Sequence, residues 1–313
     1  MTSFTSTIGR SSLTGRPAGR RLFRRSTRYL FVAPALLYLA LFMFYPLLYT
    51  FNLSVFDVNA GNFVQGGAPF VGLQNYIDFI SSPDFASSLA ITLIFTVGSL
   101  LFQHAIGFAL AMFFNLGFPL SGLLRAIMMV VWVLPAVVSA SLWRWMYAGS
   151  YGVLNALLGL VGIHSTQSWL ADPSTALPAV IIANIWVGIP FQMMMIYAGL
   201  QTIPTQLYEA AAIDGASAWR RYWSITVPMM RPVILTALLL GFVHTFKAFD
   251  IIYVMTSGGP ANATNVLSIA VYKLSFEYFR LGDGAAAANV LLVIPLVLSI
   301  IYLFYSRREE RGL

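Results

Sequence analysis

Polar and aromatic side chains within long apolar segments are the residues of this chain that could do chemistry. Their amides can hydrogen-bond hydroxyl groups, and their aromatic faces can stack on the apolar face of a ring. A charged group at the centre of such a segment costs about 2.5–3.5 kcal/mol to insert into a membrane, so it should face a helix bundle or a solute path. The candidates for that path are Asn184, Trp186, Gln192, Tyr197, Lys247 and Asp250.

These candidates admit a second interpretation, in which they only join neighbouring helices. Buried amides such as those of Asn184 and Gln192 hydrogen-bond across helix interfaces as readily as they bind solute. Lys247 and Asp250 are spaced i, i+3, and on a single helix this spacing favours mutual neutralisation over contact with a substrate. Further polar residues that fit either interpretation are Gln103, His104, His244 and Asn289.

A second group of candidate residues lies in the connection from Gln201 to Pro232. Pro204 can open a helix that Gly215 closes as a left-handed C-cap, and a second short helix is predicted over Ala216–Ser224, ending before Pro228. The second helix combines aromatic and arginine side chains, a composition typical of protein interfaces, and therefore predicts a docking surface. Its side chains include those of Trp219, Arg220, Arg221, Tyr222 and Trp223.

The composition is that of a membrane protein without redox or nucleotide chemistry of its own. Of the 313 residues, 58% are hydrophobic and 9% are charged, whereas a soluble domain has about 25% charged residues. The absence of cysteine excludes disulfides, cysteine-based metal sites and a thiol nucleophile. Neither Lys247 nor Lys273 lies in a phosphate-binding glycine loop, so any ATP would be hydrolysed by a partner. No metal site and no catalytic residue are predicted.

Six apolar segments are long enough to cross a bilayer core of about 30 Å as helices of about 20 residues. Helices are required because an unpaired backbone group in hydrocarbon costs several kcal/mol. The sequence therefore predicts an all-α integral membrane protein with six transmembrane helices. They are placed near Tyr29–Leu53, Leu89–Leu116, Ile127–Tyr147, Ala176–Leu200, Val233–Met255 and Ala285–Tyr305.

The distribution of basic residues predicts that both termini are cytoplasmic. With that orientation, fourteen of the eighteen Lys and Arg residues lie on the cytoplasmic side, as the positive-inside rule requires. Topology and anionic lipid explain the net charge of +7, which argues against nucleic acid as a partner. The predicted organisation is an Arg-rich cytoplasmic tail over 1–28 and a transmembrane domain over 29–313, whose core five-helix unit spans about 87–305 and contains the loop 201–232.

A spaced motif lies within that loop. Glu209-Ala210-Ala211 is followed after three residues by Gly215, and after nine more by Ile225-Thr226-Val227-Pro228. This pattern resembles the EAA loop of permease subunits in binding-protein-dependent ABC importers, from which it departs only by Val in place of Leu. The resemblance marks as coupling residues Glu209, Ala210, Ala211, Asp214, Gly215, Ser217, Trp219, Arg220, Arg221, Trp223 and Pro228.

A second resemblance concerns the kind of solute. The stretch from Phe246 to Pro260 reads F-x-x-F-D-x-x-Y-x-x-T-x-G-G-P and is similar to a segment of the carbohydrate-uptake branch related to maltose-type permeases. Gly72-Leu73-Gln74-Asn75-Tyr76 is similar to another element of that branch. Together with the loop, these elements cover most of the chain beyond residue 70. The resemblance adds Phe246 to the candidates for the solute path.

The resemblance implies the type I ABC importer permease fold and a place in the inner or plasma membrane. It implies as partners a second homologous permease subunit, two ATPase subunits on the cytoplasmic face, an extracytoplasmic solute-binding protein and membrane lipid. ATP and Mg would be bound by the ATPase subunits, so this chain would need no cofactor. In the family, the short helix after the loop glycine inserts into a cleft of the ATPase. Here the helix 216–224 would couple the ATPase to the membrane helices of a non-catalytic sugar permease subunit.

Three alternatives are open at the level of sequence. A self-contained secondary transporter of a small polar solute would also carry polar groups on its helices, but it leaves the loop motif unexplained. Within the importer interpretation, glycerol phosphate or a polyol could replace the sugar. An intramembrane hydrolase is disfavoured, because Gly215-Ala216-Ser217-Ala218 lacks the closing glycine of a nucleophile elbow.

Overall fold

The computed structural model describes residues 31–163 and 166–311, with side chains as far as residue 306. The predicted Arg-rich tail, residues 1–28, lies outside the described residues. Within the described ranges the secondary structure consists of helices and two isolated bridges, without a strand. The all-α prediction is confirmed. The chain forms two compact units, and the second begins at Phe51.

The first unit contains most of helix α1, Phe31–Leu53. A wider π-type turn interrupts α1 over Ala40–Phe44, close before Pro46, which has no N–H to continue the regular pattern. With 23 apolar-rich residues, α1 is long enough to cross a bilayer core. The predicted span Tyr29–Leu53 is therefore confirmed from Phe31 onward.

The second unit is a set of long helices joined by short ones. A single helical turn over Ala60–Phe63 precedes them, and a π-type turn over Lys273–Glu277 lies near their end. The helices are α2 (Gln74–Ser81), α3 (Pro83–Phe114), α4 (Ser121–Val133), α5 (Ala136–Met146), α6 (Val153–Leu160), α7 (Pro173–Leu200), α8 (Thr205–Ile213), α9 (Ala218–Phe246), α10 (Asp250–Thr256), α11 (Leu267–Tyr272) and α12 (Leu281–Arg311).

Five described helices are long and apolar enough to span a membrane, namely α1, α3, α7, α9 and the part of α12 up to Ser306. The predicted third span, Ile127–Tyr147, is not one straight helix, because α4 and α5 meet at an elbow of 94°. Pro135 causes the break: it has no N–H to donate, and it holds Leu134 at φ −59° and ψ 138°, outside the helical region. The prediction of six spans holds when this bent pair counts as one.

The fifth predicted span, Val233–Met255, has different ends in the structure. α9 begins at Ala218 and ends at Phe246, and the chain leaves the helical conformation before α10 starts at Asp250. The prediction carried the span through Lys247 and Asp250, and these two charged residues mark the end of one helix and the start of the next. Lys247 and Asp250 therefore lie on opposite sides of a helix end and not on one helix.

The core of the second unit centres on α3 and α7, which lie along each other, with α9 packed against both. Small residues allow this close approach. A β-carbon added to Gly107 of α3 would lie 2.9 Å from the backbone nitrogen of Met193 of α7. The helices thus pack backbone to backbone, as is common in membranes.

Candidate functional site

A cavity of about 220 Å³ lies in the second unit, between α3, the α4–α5 elbow, α7 and the end of α9. On α7 it reaches from Asn184 to Phe191, which is the middle of that 28-residue helix. If α7 crosses the bilayer, the cavity lies near the membrane midplane. Its polar and aromatic lining includes Gln103, Trp132, Asn184, Phe191, His244, Lys247 and Asp250.

Aromatic rings form one wall of the cavity. The rings of Trp132 and Phe191 are stacked, with centroids 4.7 Å apart and an interplanar angle of 21°. His244 meets Trp132 edge to face at 5.1 Å. The elbow at Pro135 places both Trp132 and Ala136 on the cavity, since it turns α5 back from the line of α4. This wall offers an aromatic surface to the apolar face of a ring.

A buried amide lies beside this wall. The Asn184 side chain is 8% exposed, and its Nδ2 donates to no acceptor within the described residues. Gln103 is 3% exposed, and its Nε2 donates to the backbone carbonyl of Asn184 at 2.8 Å. A buried donor without an acceptor costs about 1–3 kcal/mol. A ligand oxygen that reached Asn184 after a small side-chain movement would remove that cost.

Lys247 and Asp250 supply charge at the cavity. Both side chains are exposed and line it, but no ion pair joins them within the described part of the chain. The predicted mutual neutralisation is therefore wrong, because the helix end separates the two residues. An ammonium and a carboxylate that do not pair with each other can hydrogen-bond hydroxyl groups of a solute.

The other four path candidates lie away from the cavity. Trp186 meets Trp143 edge to face, with centroids 6.0 Å apart, and Tyr197 lies under the guanidinium of Arg125 at 4.1 Å. Phe246 is 1% exposed and packs in a core cluster, and Gln192 is fully buried between helices. Of the seven candidates, the structure brings together Asn184, Lys247 and Asp250.

The further polar residues divide in the same way. Gln103 and His244 line the cavity, whereas His104 hydrogen-bonds Gln192 and Asn289 donates to the Tyr76 hydroxyl at 2.8 Å. Sequence reasoning missed the aromatic lining residues Trp132, Phe191 and Phe249. For two of them the available signal was a nearby proline: Trp132 precedes Pro135 by three residues, and Phe191 directly follows Pro190, although α7 continues unbroken through Pro190.

The loop motif forms a compact turn between α8 and α9. Gly215 has φ +74°, its N–H donates to the Ala212 carbonyl at 3.1 Å, and the Ala216 N–H donates to the Ala211 carbonyl at 2.8 Å. These two bonds are a Schellman C-cap, as predicted for Gly215. The Ser217 hydroxyl then accepts from the Arg220 N–H at 3.3 Å and caps the start of α9.

The predicted end of the second loop helix before Pro228 is wrong. α9 runs without a break from Ala218 to Phe246, because a π-type turn over Tyr222–Thr226 widens the helix directly before the proline. The wider turn accommodates the ring of Pro228 and its missing N–H. The loop helix and the membrane helix are therefore one continuous helix.

The first turns of α9 present an aromatic surface. Trp219 is 71% exposed and Trp223 is 52% exposed, and each packs against Tyr222 with centroids 6.1 and 5.1 Å apart. Large exposed aromatic side chains next to arginines are typical of a docking site. We call this the loop surface. It comprises Trp219, Arg220, Tyr222 and Trp223.

The remaining motif residues occupy the rest of the turn. Glu209 and Asp214 are exposed, and Glu209 has no ion-pair partner among the side chains of residues 31–163 and 166–306, so these residues do not supply its predicted cation. Asp214 is the C-cap of α8, as expected of a turn residue. Ala210 and Pro228 are exposed, whereas Ala211 and Arg221 are half-buried.

Comparison with known proteins supports one family over most of the chain. Residues 103–310 match the family model described as the inner membrane component of binding-protein-dependent transport systems. The trehalose/maltose transport system permease of Thermococcus litoralis is 39% identical over 283 residues, covering 89% of this chain and 93% of that protein. The sulfoquinovosyl glycerol transport system permease of Agrobacterium fabrum is 33% identical over 287 residues, covering 90% of each chain.

A solved structure shares the fold. A chain of a bacterial ABC transporter that imports the acidic polysaccharide alginate superposes with a TM-score of 0.78, covering 93% of this chain and 98% of that one, at 24% identity. The predicted ABC importer permease fold is confirmed by this similarity.

Proposed function

Since the chain belongs to the inner-membrane components of binding-protein-dependent transport systems, we propose that it is the permease subunit of an ATP-driven importer for a sugar or a related polyhydroxylated solute. It is a multi-pass membrane protein and a non-catalytic transport subunit. The observation that carries the proposal is the cavity at the middle of α7, which combines an aromatic wall, a buried amide and two charged side chains that do not pair with each other.

Each part of the cavity suits a pyranose. The stacked pair of Trp132 and Phe191 offers an aromatic face to the C–H groups of the ring. Asn184 donates to a ring hydroxyl, Lys247 donates to another, and Asp250 accepts from a third. No arginine lines the cavity within the described residues, so the lining favours a neutral hydroxylated solute over a phosphorylated one. Glycerol phosphate is thereby the weaker of the alternatives.

The solutes named for the relatives support the same chemical class. One relative is a trehalose/maltose permease and another is a permease for sulfoquinovosyl glycerol. Both names describe sugars or sugar derivatives. The polar groups of the cavity are compatible with several such solutes, and an outer binding protein supplies the finer selection.

ATP drives transport through the loop surface in this proposal. Its exposed Trp219 and Trp223 dock into a cleft of an ATPase subunit, where ATP and Mg are bound. The complex contains two ATPase subunits on the cytoplasmic side, a second permease subunit homologous to this one and an outer solute-binding protein. Both termini and the loop surface face the cytoplasm, in agreement with the positive-inside rule.

The test is solute uptake by the complete complex in proteoliposomes, with a panel of radiolabelled mono- and disaccharides and polyols. Trp132→Ala should lower uptake about two- to tenfold, which corresponds to the loss of one aromatic stacking contact. Trp186→Ala is the matched control, since this tryptophan lies off the cavity and should leave uptake of the best solute near the wild-type rate. Uptake by this chain without ATPase and binding protein would refute the proposal and favour a secondary transporter.

A further inference from the structure

Gln192 lies in the second half of α7, fully buried, and its amide joins three helices. Its Nε2 donates to the backbone carbonyl of Ala237 on α9 at 3.1 Å. Its Oε1 accepts from Nδ1 of His104 on α3 at 3.2 Å. The side chain therefore does not face the solute path that its polarity suggested, and it instead forms a cross-link between helices.

Two glycines make room for this cross-link. A β-carbon on Gly241 of α9 would overlap the Gln192 amide, and one on Gly107 of α3 would lie 2.8 Å from the Gln192 β-carbon. The amide thus lies directly on the bare backbone of α9. A movement of α9 toward α7 at this depth must displace Gln192, because no flexible side chain lies between them at Gly241.

α9 extends from the loop surface to the cavity as one continuous helix, with a π-type turn over Tyr222–Thr226. Its 29 residues, at about 1.5 Å each, cover roughly 44 Å. One end carries Trp219, and the other carries His244 at the cavity. Ala237, to which Gln192 is bonded, lies two turns before that end. A displacement imposed at the loop surface therefore reaches the Gln192 contact through a single helix.

α7 carries the residues that form the other side of the cavity. Asn184 lies two turns before Gln192 on α7, and Phe191 is adjacent to Gln192 in sequence. A second buried glutamine, Gln103, lies over Gly188 in the same manner, but it hydrogen-bonds α7 from α3 and makes no hydrogen bond to α9 within the described residues. The described residues thus contain two similar cross-links. Only the one made by Gln192 includes α9, the helix that begins at the loop surface.

From this arrangement we propose that Gln192 is a positioning residue that transmits the movement of α9 to the cavity wall on α7. The inference rests on the proposed function, since it assumes that an ATPase moves the start of α9. Gln103 holds the cavity wall in place but takes no part in transmission. Loss of Gln192 should therefore separate ATP hydrolysis from solute movement, whereas loss of Gln103 should weaken both together.

The experiment compares Gln192→Met with Gln103→Met in the complete complex reconstituted in liposomes. Methionine is unbranched and of similar length, so both variants lose the amide with little change in volume. ATP hydrolysis stimulated by loaded binding protein and uptake of the best solute are measured on the same preparation. For Gln192→Met we expect stimulated hydrolysis within about twofold of wild type and uptake per ATP lowered about five- to tenfold, the factor for one or two lost hydrogen bonds. For Gln103→Met we expect the ratio of solute uptake to ATP hydrolysis to equal that of wild type.

A second variant tests the same contact without removing the glutamine. Gly241→Ala places a methyl group where the Gln192 amide lies, so it should lower the ratio of uptake to hydrolysis in the same way. If both variants lower hydrolysis and uptake in proportion, or leave the ratio unchanged, Gln192 only holds helices together and the proposal is refuted. If wild type shows no ATP-dependent uptake with its partners, the proposed function fails, which is a distinct result.

Discussion

Replacement of Gly215 tests whether the turn between α8 and α9 prepares the loop surface for docking. Gly215 has φ +74°, and a β-carbon added there would meet no atom within 4 Å. The cost of Gly215→Ala is therefore one of backbone conformation, about 1–2 kcal/mol for a left-handed residue. If the strain opens the Schellman turn, this cost appears in docking as a dissociation constant raised about five- to thirtyfold. The assay is titration of the ATPase subunit onto the solubilised permease pair.

Two controls separate this effect from general destabilisation. Gly215→Asn should weaken docking less, because asparagine tolerates the left-handed conformation better than alanine. Gly117→Ala carries the same strain at φ +69°, also with no atom within 4 Å, but outside the loop surface. It should leave ATPase binding unchanged. Equal binding by Gly215→Ala and wild type, or equal loss in Gly117→Ala, would show that this reasoning is wrong.

Three further substitutions have expected outcomes that depend on local contacts. Gly188→Ala should lower the free energy of unfolding by about 1–3 kcal/mol, measured by thermal unfolding, because the added methyl group overlaps Gln103. Gly98→Ala is the control: its methyl group would make only an ordinary contact at 3.5 Å, so the variant should be tolerated. Ser217→Ala removes the N-cap of α9, which costs about 1 kcal/mol of helix stability, and should weaken ATPase docking up to about fivefold. Ser217→Asp keeps a capping oxygen and should retain wild-type binding. Equal loss in both variants would contradict a capping role. Tyr147→Phe removes a buried hydrogen bond of 3.0 Å and should cost about 1 kcal/mol in the same unfolding assay, and an unchanged midpoint would show that the bond contributes nothing.

The glycine turn of the loop could be predicted because its determinants are local: Gly215 must adopt a positive φ to close α8. The predicted start of the second helix at Ala216 is two residues early, because Ser217 is extended and caps α9, which begins at Ala218. The continuation of α9 through Pro228 could not be predicted, since a proline ordinarily ends a helix and only the π-type turn before it removes the conflict.

The cavity was less accessible to prediction because its lining depends on helix rotation and on where helices break. Asn184 and Gln192 are both amides on α7, yet one lines the cavity and the other lies between helices. Their chemistry is the same, so sequence cannot separate them. Trp132 reaches the cavity only through the elbow at Pro135, and Lys247 is separated from Asp250 because α9 ends at Phe246.

The elbow at Pro135 also bears on the electrical insulation of the membrane. α4 has 13 residues and α5 has 11, or about 20 and 16 Å of helix, so neither half crosses a core of about 30 Å by itself. Irregular backbone inside a membrane is stable only beside protein or water. The elbow meets this condition because its neighbours Trp132 and Ala136 line the cavity. Water at mid-membrane shortens the barrier that ions must cross. Such a transporter preserves the proton-motive force only if the two mouths of the passage are never open at the same time.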